Sequence, residues 1–70
     1  MDLETFVVTC AGKQYLVIPR RNRRRMEYSV SVNGQVQLFA VNDEGNITAY
    51  PSQNGEIFDL IGAAIESYFL

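Results

Sequence analysis

The spacing of apolar residues along the chain changes once, shortly after residue 50. Before that point, apolar and β-branched residues form short segments that alternate with polar residues or fill consecutive positions, as is typical of strands. After it, apolar residues recur three and four positions apart, as on one face of a helix. These helical positions are Ile57, Leu60, Ile61, Ala64, Ile65 and Tyr68. The pattern predicts strands followed by one terminal helix.

Five segments predict strands, at residues 5–10, 14–18, 27–32, 35–41 and 47–50. Asn33-Gly34 is the strongest turn signal, because a type I′ turn needs two residues that tolerate positive φ. Gly12 and the polar segment 42–46 predict two further turns. Pro51 ends the last strand because it cannot donate a ladder hydrogen bond. Short connections between five strands predict a meander.

The terminal helix is predicted to lie on one face of this sheet. Ser52 or Asn54 is expected to cap its start, and Glu56 would lie in the positively polarised first turn. Phe58 and Phe69 widen its apolar stripe. The positions expected to face solvent are Asp59, Gly62, Ala63 and Glu66.

The predicted fold is a single α+β domain, residues 1–70, with an antiparallel meander of about five strands and one C-terminal helix packed on one face. Segments 6–8, 15–18 and 38–41 are apolar on both faces of their strands. The helix can cover only one face. Either the sheet curls and folds its second face inward, or that face meets another molecule, in a homodimer or with a different protein.

Composition argues against catalysis and against metal or cofactor binding. The chain has no histidine and one cysteine, Cys10, so the usual general base and commonest metal ligand are missing. Cys10 is in phase with Phe6 and Val8 on a strand, which predicts a buried structural thiol. Segment 42–47 resembles part of a calcium loop, but Ala40 and Pro51 occupy the anchoring carboxylate positions. We therefore expect no enzyme, cofactor or metal site.

The acidic start of the chain and the lack of a long apolar run predict a cytoplasmic protein without a membrane segment. A 70-residue domain has limited core. One cysteine excludes an internal disulfide, so oligomerisation is the remaining common means of support.

The positive charge of the chain is concentrated in one segment. Five of the six basic residues lie within residues 20–25, namely Arg20, Arg21, Arg23, Arg24 and Arg25, against eight carboxylates in the whole chain. Lying between two strands, this arginine window predicts the tip of a long hairpin, with Asn22 in the left-handed turn conformation.

Three interpretations of the arginine window remain open: a solvated or internally paired loop, a contact for an acidic protein, and a nucleic-acid or other polyanion site. Guanidinium groups suit bidentate carboxylate or phosphate contacts, and Tyr28 is the nearby aromatic residue that could stack on a base. The sequence pI near 4.8 disfavours the polyanion interpretation. We expect a non-enzymatic domain that self-associates or docks on an acidic protein, with nucleic-acid binding as the alternative.

Several turn and packing motifs resemble those of small uncharacterised bacterial proteins built from a meander and a C-terminal helix. They run from Gly12 to Tyr68: Gly-Lys-x-Tyr at 12–15, Tyr-x-Val-x-x-Asn-Gly at 28–34, Asp-Glu-Gly at 43–45 and the isoleucine repeat at 57–65. The resemblance implies the same fold and brings no functional residues. The arginine window is not part of it.

Overall fold

A computed structural model describes residues 4–69 as a five-stranded antiparallel sheet followed by one helix. The elements are β1 (Phe6–Cys10), β2 (Lys13–Asn22), β3 (Arg25–Val32), β4 (Gln35–Val41), β5 (Ile47–Tyr50) and α1 (Glu56–Tyr68). Each strand pairs with the next, in the order β1-β2-β3-β4-β5. This confirms the predicted α+β meander with a C-terminal helix.

Two hairpin turns have left-handed geometry, which was predicted for Asn33-Gly34, whereas only a turn containing Gly12 was predicted for the first hairpin. Asn33 and Gly34 have φ of 52° and 79°, and Ala11 and Gly12 have φ of 51° and 77°. Positive φ at both central residues is the signature of a type I′ turn, whose twist matches that of the strands it joins. The β2–β3 turn differs from the prediction: Asn22 ends β2, and Arg23 takes positive φ, at 62°.

The helix packs against the concave side of the sheet. Ile61 and Ile65 of α1 are fully buried, together with Val17, Val30 and Phe39 from the three central strands. The helix backbone comes closest to the two edge strands, β1 and β5. A flat sheet of this width would hold its edges about 19 Å apart. The sheet therefore curves around the helix, which lies between its edges.

Two predictions about the helix are wrong. Gly62 and the half-buried Glu66 lie against β5. Gly62 is buried, with the Ile47 carbonyl oxygen occupying the space that a Cβ would need, and the Glu66 carboxylate accepts a hydrogen bond from the Ile47 N–H at 3.0 Å. The N-cap is Gly55, with no side-chain cap, so neither Ser52 nor Asn54 serves. Glu56 lies in the first turn as predicted.

Candidate functional site

The convex side of the sheet carries exposed apolar side chains. We call the surface formed by Val7, Leu16, Ile18, Val36, Leu38 and Tyr50 the open face. Strand alternation directs these residues away from the helix. Leu16 and Ile18 on β2 are 52% and 45% exposed, and Val36 on β4 is 72% exposed. The sheet curls around the helix without folding this second face inward.

Small side chains occupy the middle strand of the open face. Ser29 on β3 pairs with Ile18 on β2 and with Leu38 on β4. Ser31 on β3 pairs with Val36 on β4. The open face therefore has aliphatic rows on β2 and β4, with a row of two serines on the strand between them.

The arginine window is divided between the two sides of the sheet. Arg20 and Arg25 project from the open side, because they share the alternation of Ile18 and Glu27. Arg21 projects from the helix side, where it borders a groove with Phe6 and Tyr28. Arg23 and Arg24 form the turn. All five charges remain at one end of the molecule, but they do not form one surface.

Glu27 is a buried carboxylate among these arginines. It is 4% exposed, and its Oε1 lies 3.7 Å from Nε of Arg20, whose side chain is 61% exposed. Asn22 donates to Oε2 across a long 3.5 Å contact. Oε1 has no hydrogen-bond partner among the described residues. Leaving a buried polar atom unpaired costs about 1–3 kcal/mol, and more for a charged group.

An open cavity of about 470 Å³ lies beside Glu27. We call it the arginine cleft; its lining residues are Asn22, Arg23, Arg24, Arg25, Glu27 and Tyr50. The guanidinium carbon of Arg25 lies 4.2 Å from the centre of the Tyr50 ring, a cation–π contact that holds both groups in place. Tyr50 is 48% exposed. The cleft joins a buried acceptor, positive charge and an aromatic surface.

Tyr28 lies outside this cleft. Its side chain projects from the helix side of β3, is 7% exposed, and has its ring centre 5.8 Å from that of Phe69. Burial raises the pKa of its hydroxyl. The aromatic residue that contacts an arginine on the open side is Tyr50, which stacks on Arg25. The two residues are far apart in sequence, and the fold of the sheet brings them together.

The sequence contained a signal for Glu27 that the prediction did not use. A two-residue turn at Arg23-Arg24 pairs Asn22 with Arg25 and, two residues further along each strand, Arg20 with Glu27. Counting back from the turn would have found this pair. No comparable signal links Tyr50 to Arg25, because β5 reaches β3 only through β4.

Cys10 is buried, as predicted. Its thiol donates to the Leu60 carbonyl oxygen across 3.6 Å, and burial raises its pKa. A raised pKa keeps the thiol protonated at neutral pH, and the protonated form is a poor nucleophile. Cys10 therefore serves to pack β1 against the helix.

Among residues 4–69 no group of three or more histidine, cysteine, aspartate or glutamate side chains could hold a metal ion. In the same part of the chain, no helix is long and apolar enough to cross a membrane.

Comparisons with protein-family models, curated proteins and solved structures found no match to this chain.

Proposed function

We propose that this protein is a non-enzymatic interaction domain that self-associates through the open face. The observation that carries the proposal is the exposure of Leu16 and Ile18 on β2 and of Val36 on β4, all on the surface that the helix does not cover. A monomeric soluble protein rarely exposes a contiguous apolar patch larger than a few hundred Å². A second copy of the sheet would remove this patch from water.

The shape of the open face favours a second copy as the occupant. A two-fold symmetric interface brings the same patch together from both subunits. The face supplies both large and small side chains for such packing, because the aliphatic side chains on β2 and β4 of one copy can pack over the serines on β3 of the other. Packed sheets of this kind lie about 10 Å apart with interdigitating side chains.

The charge distribution selects an antiparallel arrangement. Arg20 and Arg25 lie at one end of the open face, beyond Ile18. If the two copies run in opposite directions, their arginine ends lie at opposite ends of the dimer. The like charges are then separated by more than one Debye length, about 8 Å at physiological salt.

The expected dimer is weak. Burying a half-exposed Leu, Ile or Val contributes on the order of 1 kcal/mol, and loss of translational and rotational freedom opposes association by about 4–15 kcal/mol. We therefore expect dissociation in the micromolar range or above, and a mass that depends on protein concentration.

Light scattering after size exclusion, from low micromolar to millimolar protein, tests the proposal. Leu16→Lys places a charge in the centre of the open face and should give a monomer at every concentration. Leu60→Lys is the matched control, because Leu60 is also exposed, at 40%, but lies on the helix; it should dimerise like the wild type. A wild-type protein that stays monomeric at millimolar concentration would overturn the proposal.

Docking on an acidic protein is the second candidate function, favoured by the exposed turn at Arg23 and Arg24. Such binding would weaken as salt rises, because exposed charges are screened. Replacing both arginines by glutamine should abolish it and leave self-association unchanged. Binding that survives this double substitution would exclude the turn as the contact.

A further inference from the structure

We propose that the arginine cleft binds a guanine nucleotide. The proposal does not depend on self-association. It combines three properties of the cleft: a buried carboxylate with one oxygen that lacks a hydrogen bond, an excess of positive charge, and an aromatic ring with a guanidinium group over it.

The first property is the hydrogen-bonding demand of Glu27. Its Oε1 lacks a partner among the described residues although the side chain is 4% exposed, and buried polar groups almost always have one. Nε of Arg20 lies 3.7 Å from Oε1, too far for a hydrogen bond. Its side chain is 61% exposed, so it can rotate into solvent. A ligand with an N–H donor then satisfies the carboxylate.

The second property is charge. Arg23, Arg24 and Arg25 line the cleft with Glu27 as the one carboxylate of the lining. The excess of positive charge repels a cationic donor such as an ammonium group. It favours a ligand that offers Glu27 a neutral N–H donor and carries a negatively charged group at another position. Guanidinium groups present a fixed fork of donors that suits phosphate oxygens.

The third property is the contact between the Arg25 guanidinium and the Tyr50 ring. The guanidinium lies over the ring at 4.2 Å from its centre, and Tyr50 is 48% exposed. Proteins hold unpaired bases by stacking them on aromatic rings and arginine planes while side chains read the Watson–Crick edge. The cavity of about 470 Å³ is within the range of small-ligand sites.

Guanine is the base whose edge fits Glu27. Its N1–H and its N2 amine are adjacent donors that can reach both oxygens of one carboxylate. Adenine and cytosine place an acceptor nitrogen next to their amine, which a carboxylate repels, and uracil has one N–H between two carbonyls. The phosphate of the same nucleotide supplies the negative charge for the arginines. A free nucleotide and a guanine in a single strand share this chemistry.

Titration of isotope-labelled protein, followed by amide NMR, tests the proposal with GMP, IMP, AMP and inorganic phosphate. GMP should shift the signals of Arg25, Glu27 and Tyr50 and bind about tenfold or more tightly than AMP, the discrimination typical of a bidentate contact. IMP lacks the N2 amine and should bind more weakly than GMP. Equal affinities for GMP and AMP, equal affinities for GMP and phosphate, or no binding of GMP would overturn the proposal.

Three substitutions test the residues. Glu27→Gln should reduce the preference for GMP over AMP to about threefold or less, since an amide offers one acceptor in place of two. Arg25→Gln should weaken GMP binding about tenfold through loss of stacking and charge. Arg21→Gln removes the same charge from the helix side and should leave GMP affinity within about twofold, because the distance and salt screen it. An Arg21 effect as large as that of Arg25 would show a diffuse charge effect and sink the assignment.

A short single strand with one central guanine, compared with GMP, identifies the source of the base. Tighter binding of the strand supports a site for single-stranded nucleic acid, and equal binding supports a free nucleotide. Replacing the guanine by adenine in the strand should reduce binding in both cases. A strand that binds equally well with adenine would contradict base recognition.

Discussion

At the scale of single residues, two hairpin turns of the same geometry differ in one side chain. Ala11 and Asn33 occupy the first turn position with φ of 51° and 52°. A left-handed conformation costs an ordinary residue roughly 1–2 kcal/mol, whereas asparagine tolerates it because its short polar side chain bonds locally. Ala11 therefore stores strain that Asn33 avoids.

Exchange of these residue types should have opposite effects. Ala11→Asn is expected to raise the free energy of unfolding by about 0.5–1 kcal/mol, and Asn33→Ala to lower it by a similar amount. Urea denaturation with an unchanged slope measures both. The two variants control for each other: if Asn33→Ala destabilises and Ala11→Asn has no effect, strain at Ala11 is not the cause.

At the scale of elements, contact between α1 and β5 depends on a missing side chain. A Cβ at Gly62 would overlap the Ile47 carbonyl oxygen and lie 3.2 Å from the Ile47 carbonyl carbon. One helical turn further on, the Glu66 carboxylate accepts a hydrogen bond from the Ile47 N–H. The N–H and the carbonyl group of Ile47 thus both contact α1 and fix the distance between the helix and β5.

Gly62→Ala should therefore destabilise the protein although alanine is the better helix former. The propensity gain is about 1 kcal/mol, and forcing atoms into a packed contact costs about 1–3 kcal/mol. We expect a net loss of about 1 kcal/mol, with increased hydrogen exchange at Ile47.

The control for this prediction is Ala63→Gly, at an exposed position of the same helix. It should cost about 1 kcal/mol by propensity alone and leave exchange at Ile47 unchanged. A more stable Gly62→Ala variant would show that β5 can move away from the helix without loss.

Gly62 and Glu66 show why the buried side of the helix was harder to predict than the strands. The strands and turns followed from local signals, such as the two positive-φ residues of Asn33-Gly34. The helix carries apolar residues around much of its circumference, from Phe58 to Phe69. Its contacts with the strands therefore decide which side is buried. Gly62 is buried because the backbone of Ile47 approaches it, a relation between elements that no local pattern contains.

At the scale of the whole molecule, the sheet curves around one side of the helix and leaves its own convex side open. The sequence contained the evidence for this surface, since three strands are apolar on both faces, and for the charge at residues 20–25. It did not predict the arginine cleft. The order of the strands in the sheet brings Tyr50 to Arg25 at that site, and strand register places Arg20 beside its carboxylate, Glu27.

The core that the helix closes contains two groups whose ionisation opposes folding. Burial raises the pKa of Cys10 above its ordinary value of 9.0 and that of Tyr28 above 10.0. As pH rises above 9, Cys10 loses its proton in the unfolded chain while it stays protonated in the folded protein, and Tyr28 behaves in the same way above pH 10. Stability is therefore complete below the unfolded pKa values and decreases as pH rises, by at most about 1.4 kcal/mol per pH unit for each group.

Urea denaturation between neutral pH and about pH 11 should show this decrease. Cys10→Ala and Tyr28→Phe each remove one ionisation, so the double variant should lose less stability per pH unit than the wild type, whatever its stability at neutral pH. The comparison of slopes separates ionisation from lost packing. Parallel curves for the two proteins would mean that other groups cause the alkaline unfolding and that burial of these two has little effect on their protonation.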